Sequence, residues 1–233
     1  MKRIVLVAAM ATSFLLAAVQ LAYGLNYFAP GVCTDSSGTR LLSDAIYAQI
    51  YIYPKPTLDP ANGDHVNSIY ARRANTDNVE VGWYWRAYMT SLPQNFIATY
   101  STPNGHWESN VSACGIVSST FEPYELRRIA GTSKWTFYIN GTAVASTAYS
   151  TGITSAYAIV GAERNTTKDD GRGSWTYVKY KPYGGTSYAY WPSARTDTNS
   201  SGGSYDNDPT YSFYYNKIGA SNHWVYVATA QSN

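Results

Sequence analysis

Apolar and polar residues alternate along most of this chain in short runs, each closed by Gly, Pro, Asn or Asp. Period-two alternation with such punctuation predicts strands rather than helices. AIYAQIYIY (45–53) is the first clear strand, and it stops at PKPTLDPANGD, where three prolines and Asn62-Gly63 impose a loop. HVNSIYARR (65–73) and NVEVGWYWR (78–86) follow as strands, then NFIATYS and HWESNVS around the Asn-Gly of TPNG. YELRRIAGTSKWTFYINGTAVAS predicts a meander, turning at Gly-Thr-Ser and again at Asn140-Gly141. YAIVGAER (157–164), SWTYVKYKPY and HWVYVATA complete the set, separated by the polar loops NTTKDDGRG and ARTDTNSSGGSYDNDP. About a dozen short strands at hairpin spacing predict an all-β fold, a two-sheet antiparallel β-sandwich of the jelly-roll kind, with a closed barrel as the rival.

The alternation also assigns faces. In NVEVGWYWR, Val79, Val81, Trp83 and Trp85 share one side, the expected core side. Glu80, Gly82, Tyr84 and Arg86 share the other. In YAIVGAER, Tyr157, Ile159, Gly161 and Glu163 fall together. Each strand therefore sets a glutamate two residues from a glycine on one face. Neighbouring placement of the two strands would line one groove with two carboxylates.

The N-terminus departs from the strand pattern. Lys2 and Arg3 precede an apolar run from Ile4 to Val19, and Ala22-Tyr23-Gly24 supplies small residues for a cut. This order predicts a secretory signal over 1–24, a secreted product and a single β-sandwich domain over 25–233. The apolar run is short for a membrane span, so no stable membrane insertion is expected after cleavage. Of 17 basic residues, Lys2 and Arg3 fall in the leader, which leaves 15 against 15 acidic ones. A neutral product argues against nucleic acid as a partner, because phosphate binding needs concentrated positive charge. In an exported chain the two cysteines, Cys33 and Cys114, are expected to form a disulfide.

The run YELRRI…WTFYINGTAVAS…AIVGAER resembles concanavalin-like and laminin-G-like β-sandwiches. VEVGWYW followed about eighty residues later by VGAE is similar to the spacing of neprosin-type secreted glutamic peptidases. That resemblance implies an acid-active hydrolase and carries over to Glu163, in the later strand. Glu80 is assigned from facing alone.

Two carboxyl groups, one protonated and one ionised, are the minimum for acid–base hydrolysis of a peptide or a glycoside. The alternative is ordinary pairing of Glu80 with Arg86, Arg72 or Arg164 on a solvated sheet. Glu108, Glu122 and Glu125 fall near strand ends and are expected at the surface. His65, His106 and His223 lack paired-ligand spacing, and no phosphate loop or nucleophile elbow is present, so neither a metal nor a cofactor is implied. TKDDGRG and SYDNDP hold clustered oxygen ligands without the spacing of a calcium-binding hand.

Seven tryptophans and 23 tyrosines offer stacking surfaces. Tyr84, Arg86 and Tyr157, with Tyr188, Tyr190 and Trp191 of the GGTSYAYWPS stretch, are the candidate ligand-binding residues. Three functions follow: binding of an extracellular polysaccharide or polypeptide on a polar-aromatic sheet, hydrolysis by Glu80 and Glu163, or a structural envelope or matrix role.

Overall fold

The computed structural model describes residues 27–74, 77–101, 105–112, 114–147, 151–197, 206–207, 211–218 and 222–229. The expected leader, 1–24, and most of the SYDNDP stretch lie outside the described residues. Among the described residues there are sixteen strands and no helix.

The main ladder begins in the spatial order β15 (Tyr211–Ile218), β16 (Asn222–Thr229), β11 (Gly173–Pro182) and β2 (Leu42–Tyr51). It continues through β10 (Ala156–Arg164), β3 (Asp64–Ala74), β4 (Asp77–Arg86), β5 (Gln94–Ser101) and β6 (Gly105–Val111). From β2 a branch runs through β7 (Phe121–Arg128), β8 (Trp135–Ile139) and β9 (Thr142–Ser146). On the other side of β10 lies β1 (Tyr27–Thr34), flanked by β13 (Ser193–Thr196) and β14 (Asp206–Asn207), and β12 (Ala189–Tyr190) adds to β11. All pairings are antiparallel except β1 with β14.

The ladder folds over so that β3 and β4 lie against β7 and β8, which makes the two layers of an all-β sandwich. Between them sits one core, to which β4 contributes Val79, Val81, Trp83 and Trp85, as the alternation predicts. Leu126, Phe137 and Ile139 face them from the second layer, with Trp135, Trp175 and Trp191 also fully buried. Each such indole removes roughly 4–6 kcal/mol worth of apolar area from water before entropy is counted. Asn140 and Gly141 close β8 to β9 with φ of 51° and 75°, the two positive values that a tight hairpin of this hand demands.

Several expectations are corrected. Cys33 and Cys114 are free thiols, not a disulfide. Cys33 is buried in β1 beside Tyr180 and Tyr215, whereas Cys114 lies beside Glu122, so the strand pairing seats them in different neighbourhoods. Trp191 is not an exposed ligand platform: the apolar core encloses it, and its backbone carbonyl accepts hydrogen bonds from Tyr215 and His223. Glu122 is buried rather than at the surface, and accepts from the Val117 amide at 2.7 Å and from Asn140 at 3.3 Å. In TKDDGRG, Asp169 accepts backbone amides of Asp59 and Thr166 at 2.6 and 2.7 Å, and Asp170 pairs with Arg172 at 2.5 Å. These carboxylates tie two loops together rather than lying in a solvated turn.

Candidate active site

The face of β4 turned away from the main core continues across its neighbours by register. Tyr70 on β3 is opposite Glu80 on β4 and Ile159 on β10, and Glu80 is opposite Ala98, which is opposite Glu108 on β6. Two residues along, Gly161, Ser68, Gly82 and Phe96 form the next row. Glu163, Val66 and Tyr84 form the one after. Glu80 and Glu163 thus lie on the same face, with β3 between their strands.

The long side chain of Tyr70 spans those rows. Its hydroxyl donates to Glu163 Oε1 and also reaches the carboxyl group of Glu80. The shared phenol brings the two carboxyl groups into one neighbourhood, as two-carboxylate hydrolysis requires. Glu163 is 5 % exposed and Tyr70 3 %, while Glu80 is half-buried and so open to an incoming molecule.

The glycines do not leave open space above the strands, contrary to the groove expected from sequence. At Gly161 an added Cβ would stand 3.0 Å from Tyr70 Cε2 and closer still to the Phe28 ring. The missing side chain admits those two rings, which meet edge to face at 5.3 Å. Gly82 is filled in the same way by Ser68 and the Asn67 carbonyl. Phe28, Val32, Tyr70 and Ile159 make one small apolar cluster beside the glutamates, and Val66, Tyr84, Phe96 and Ala98 make another.

This setting shifts the carboxyl groups. Burial, reinforced by the Glu163 charge, pushes Glu80 well above the usual carboxylate range, and the hydroxyls of Ser68 and Tyr70 act in the opposite sense. Burial also raises Glu163, to about 7, against the lowering influence of the Tyr70 hydrogen bond and the Arg72 guanidinium. Asp64 rises to about 7 through burial, offset in part by Arg86.

The other candidates distribute differently. The Tyr84 ring is buried and its hydroxyl donates to Asn110 at 2.8 Å, with the Arg86 guanidinium 4.3 Å above it. Arg86 does not pair with Glu80; it lies 3.2 Å from Glu108 and 3.7 Å from Asp64. Arg164 donates to backbone carbonyls of Thr167 and Asp169. Tyr157 is half-buried against the Phe28 cluster, under Arg40 at 5.3 Å. Tyr188 and Tyr190 belong to the opposite side of the sandwich, where Tyr188 donates to Glu125 and Lys179 lies 4.8 Å over Tyr190. Two surface clefts, one lined by Arg128, Lys134 and Tyr183 and one by Val111, Cys114 and Asn140, lie away from the glutamates.

Tyr70 escaped the sequence reading, and Arg72 entered it only as a partner for Glu80, whereas its guanidinium acts on Glu163. The signal for Tyr70 is the short link between HVNSIYARR and NVEVGWYWR: a tight antiparallel pairing places Tyr70 opposite Glu80.

No protein-family model matches the sequence, and no curated protein is significantly similar to it. Solved structures do share the fold. Scytalido-glutamic peptidase, in complex with a peptide-based transition-state analogue, superposes with a TM-score of 0.53 at 10 % identity, over 89 % of this chain and 99 % of that one. SCP-B, a member of the eqolisin family of peptidases, in a complex with the tripeptide Ala-Ile-His, gives 0.50 at 11 % identity over the same shares of the two chains. At such identity the likeness concerns the β-sandwich alone.

Proposed function

We propose that the protein is a secreted hydrolase of polypeptides that works through Glu80 and Glu163. The observation that carries this reading is the convergence on one phenol of two upward-shifted carboxyl groups from separate strands, Glu163 buried and Glu80 half-buried. Glu163, which accepts from Tyr70 and lies under the influence of the Arg72 guanidinium, is the group that ionises first, and Glu80 keeps the proton. In the reaction, Glu163 takes a proton from water as the water oxygen bonds to the scissile carbonyl carbon, and Glu80 gives its proton to the carbonyl oxygen. The C–N bond then breaks as Glu163 returns its proton to the leaving nitrogen and Glu80 recovers its own. A β-sandwich shared with two glutamic peptidases agrees with this chemistry, and the leader-like N-terminus agrees with an extracellular substrate. Burial moves the working range upward from the acid one that the neprosin resemblance implies.

The test is digestion of denatured casein across about pH 3 to 8, a span that brackets ordinary and raised carboxyl groups. Wild-type protein is expected to fragment casein and Glu163→Gln to leave it intact. An inert wild type, or an equally active variant, overturns the proposal.

A specific feature of the opposite face favours glycan binding as a second reading. Tyr190, Lys179, Tyr47, Glu125 and Tyr138 form one register row across β12, β11, β2, β7 and β8. All five are partly exposed, and such a row of rings and charged groups matches the stacking and hydroxyl-bonding needs of a sugar chain. Retention on insoluble polysaccharides that is lost in Tyr47→Ala would support it, and no retention on any would remove it.

A further inference from the structure

Tyr70 is fixed more firmly than a general packing role requires. Its ring stands edge-on to Phe28, slots over Gly161 and is 3 % exposed, so the hydroxyl cannot swing out to solvent. A phenol has one proton to donate and lone pairs to accept with. Here the proton is committed to Glu163 Oε1. Glu80 is also within the phenol's influence, in the sense that favours its ionised form, but one proton cannot serve both carboxyl groups at once.

We propose that Tyr70 is the positioning residue of the pair: by donating its one phenol proton to Glu163 Oε1 it favours the arrangement in which Glu163 carries the charge and Glu80 keeps the shared proton. The inference rests on the hydrolase reading for its catalytic meaning, but not for its physical content. Without the phenol, a singly protonated pair would divide its proton between two carboxyl groups, and only one arrangement has the base on the Glu163 side. With it, one arrangement dominates. The groups acting on the pair divide, and the Ser68 hydroxyl favours an ionised Glu80. Arg72, on the strand of Tyr70, favours an ionised Glu163, while Glu108 from β6 and Asp64 at the start of β3 oppose ionisation of Glu163, and Glu108 also that of Glu80. On the β1 side the neighbour is the uncharged Phe28 ring, and Tyr157 of β10 is turned to the same apolar cluster. Burial raises the Tyr70 phenol well above its ordinary value, so it stays protonated wherever the carboxyl groups titrate.

The experiment follows the side-chain carboxyl carbons of Glu80 and Glu163 by NMR through a pH titration of wild type and Tyr70→Phe, with kcat/KM on a peptide measured alongside. In the wild type Glu163 ionises first. In Tyr70→Phe, which keeps the ring packing, the Glu163 midpoint moves up by about one pH unit, the size expected for a lost hydrogen bond to a charged group. The two midpoints draw together, and the acid limb of kcat/KM moves up with Glu163. Unmoved midpoints overturn the proposal, and so does a wild type in which Glu80 ionises first, a result readable even if the variant fails to fold. Moved midpoints in a protein with no hydrolytic activity uphold the role of Tyr70 and remove the hydrolase reading. Activity with unmoved midpoints does the reverse.

Discussion

The sandwich carries two tyrosine–glutamate hydrogen bonds on its two outer faces, and they are built for different ends. On one, Tyr188 donates to Glu125, which also has Arg127 at 2.7 Å; Tyr188 is 37 % exposed, and Arg127 reaches into solvent. On the other, Tyr70 donates to Glu163 beside a buried apolar cluster, with a second glutamate near the same phenol. A partly exposed carboxylate beside a matched, solvent-facing guanidinium is an ordinary surface pair, worth about 1 kcal/mol or less. A buried carboxyl group whose nearest acidic neighbour competes for the same hydroxyl has its proton equilibrium displaced into the range where acid–base chemistry is useful. The same two residue types thus make a surface clasp in one place and a reactive pair in the other, and burial is what separates them.

The sharpest way to break this contrast is to remove each glutamate in turn. Glu163→Gln is expected to lower kcat/KM on a peptide substrate by roughly 100-fold or more, the usual scale for a lost general base. Glu125→Gln is expected to leave it unchanged. Equal losses would erase the distinction between the two faces.

Stability against pH sharpens it further. The Glu163 carboxyl is raised from 4.5 to about 7 on folding, so the folded state binds more protons than the unfolded one between those values. Its contribution is therefore complete below about pH 4.5 and is lost as pH rises to about 7, a decline of about 3 kcal/mol. Urea unfolding at a series of pH values should show that decline in the wild type and a flatter curve in Glu163→Gln.

Gly161→Ala comes next, since a methyl group there collides with Phe28 and Tyr70. It should destabilise by about 1–3 kcal/mol and cost activity by displacing the phenol. The smallest effect concerns the thiols: with Cys33 and Cys114 free, a reductant should not change the melting temperature, and unfolded protein should take up alkylating reagent at both.

Much of the frame was legible because burial on one face leaves a period-two trace. β4 shows it plainly, with Val79, Val81, Trp83 and Trp85 all in the core and Glu80 on the other side. β1 left no such trace. YFAPGVCT is flanked on both edges by β10 and β13 and buried on both faces, and its Pro30-Gly31 resembles a turn. Trp191 misled for the opposite reason: it sits in a Gly- and Ser-rich stretch that looks exposed, yet its indole fills the core. Within the site, facing alone was enough to bring out Glu80 and Glu163. Tyr70 was hidden because its role depends on leaning two rows along the sheet over Gly161, a packing event that strand periodicity does not encode.

The central claim is most directly tested by the pH dependence of kcat/KM on a fluorogenic peptide. Two interacting carboxyl groups with raised proton affinity predict a bell whose acid limb belongs to Glu163, near 7, and whose alkaline limb marks the loss of the proton on Glu80. An acid limb at the ordinary glutamate value of about 4.3, or a profile untouched by Glu163→Gln, would contradict it.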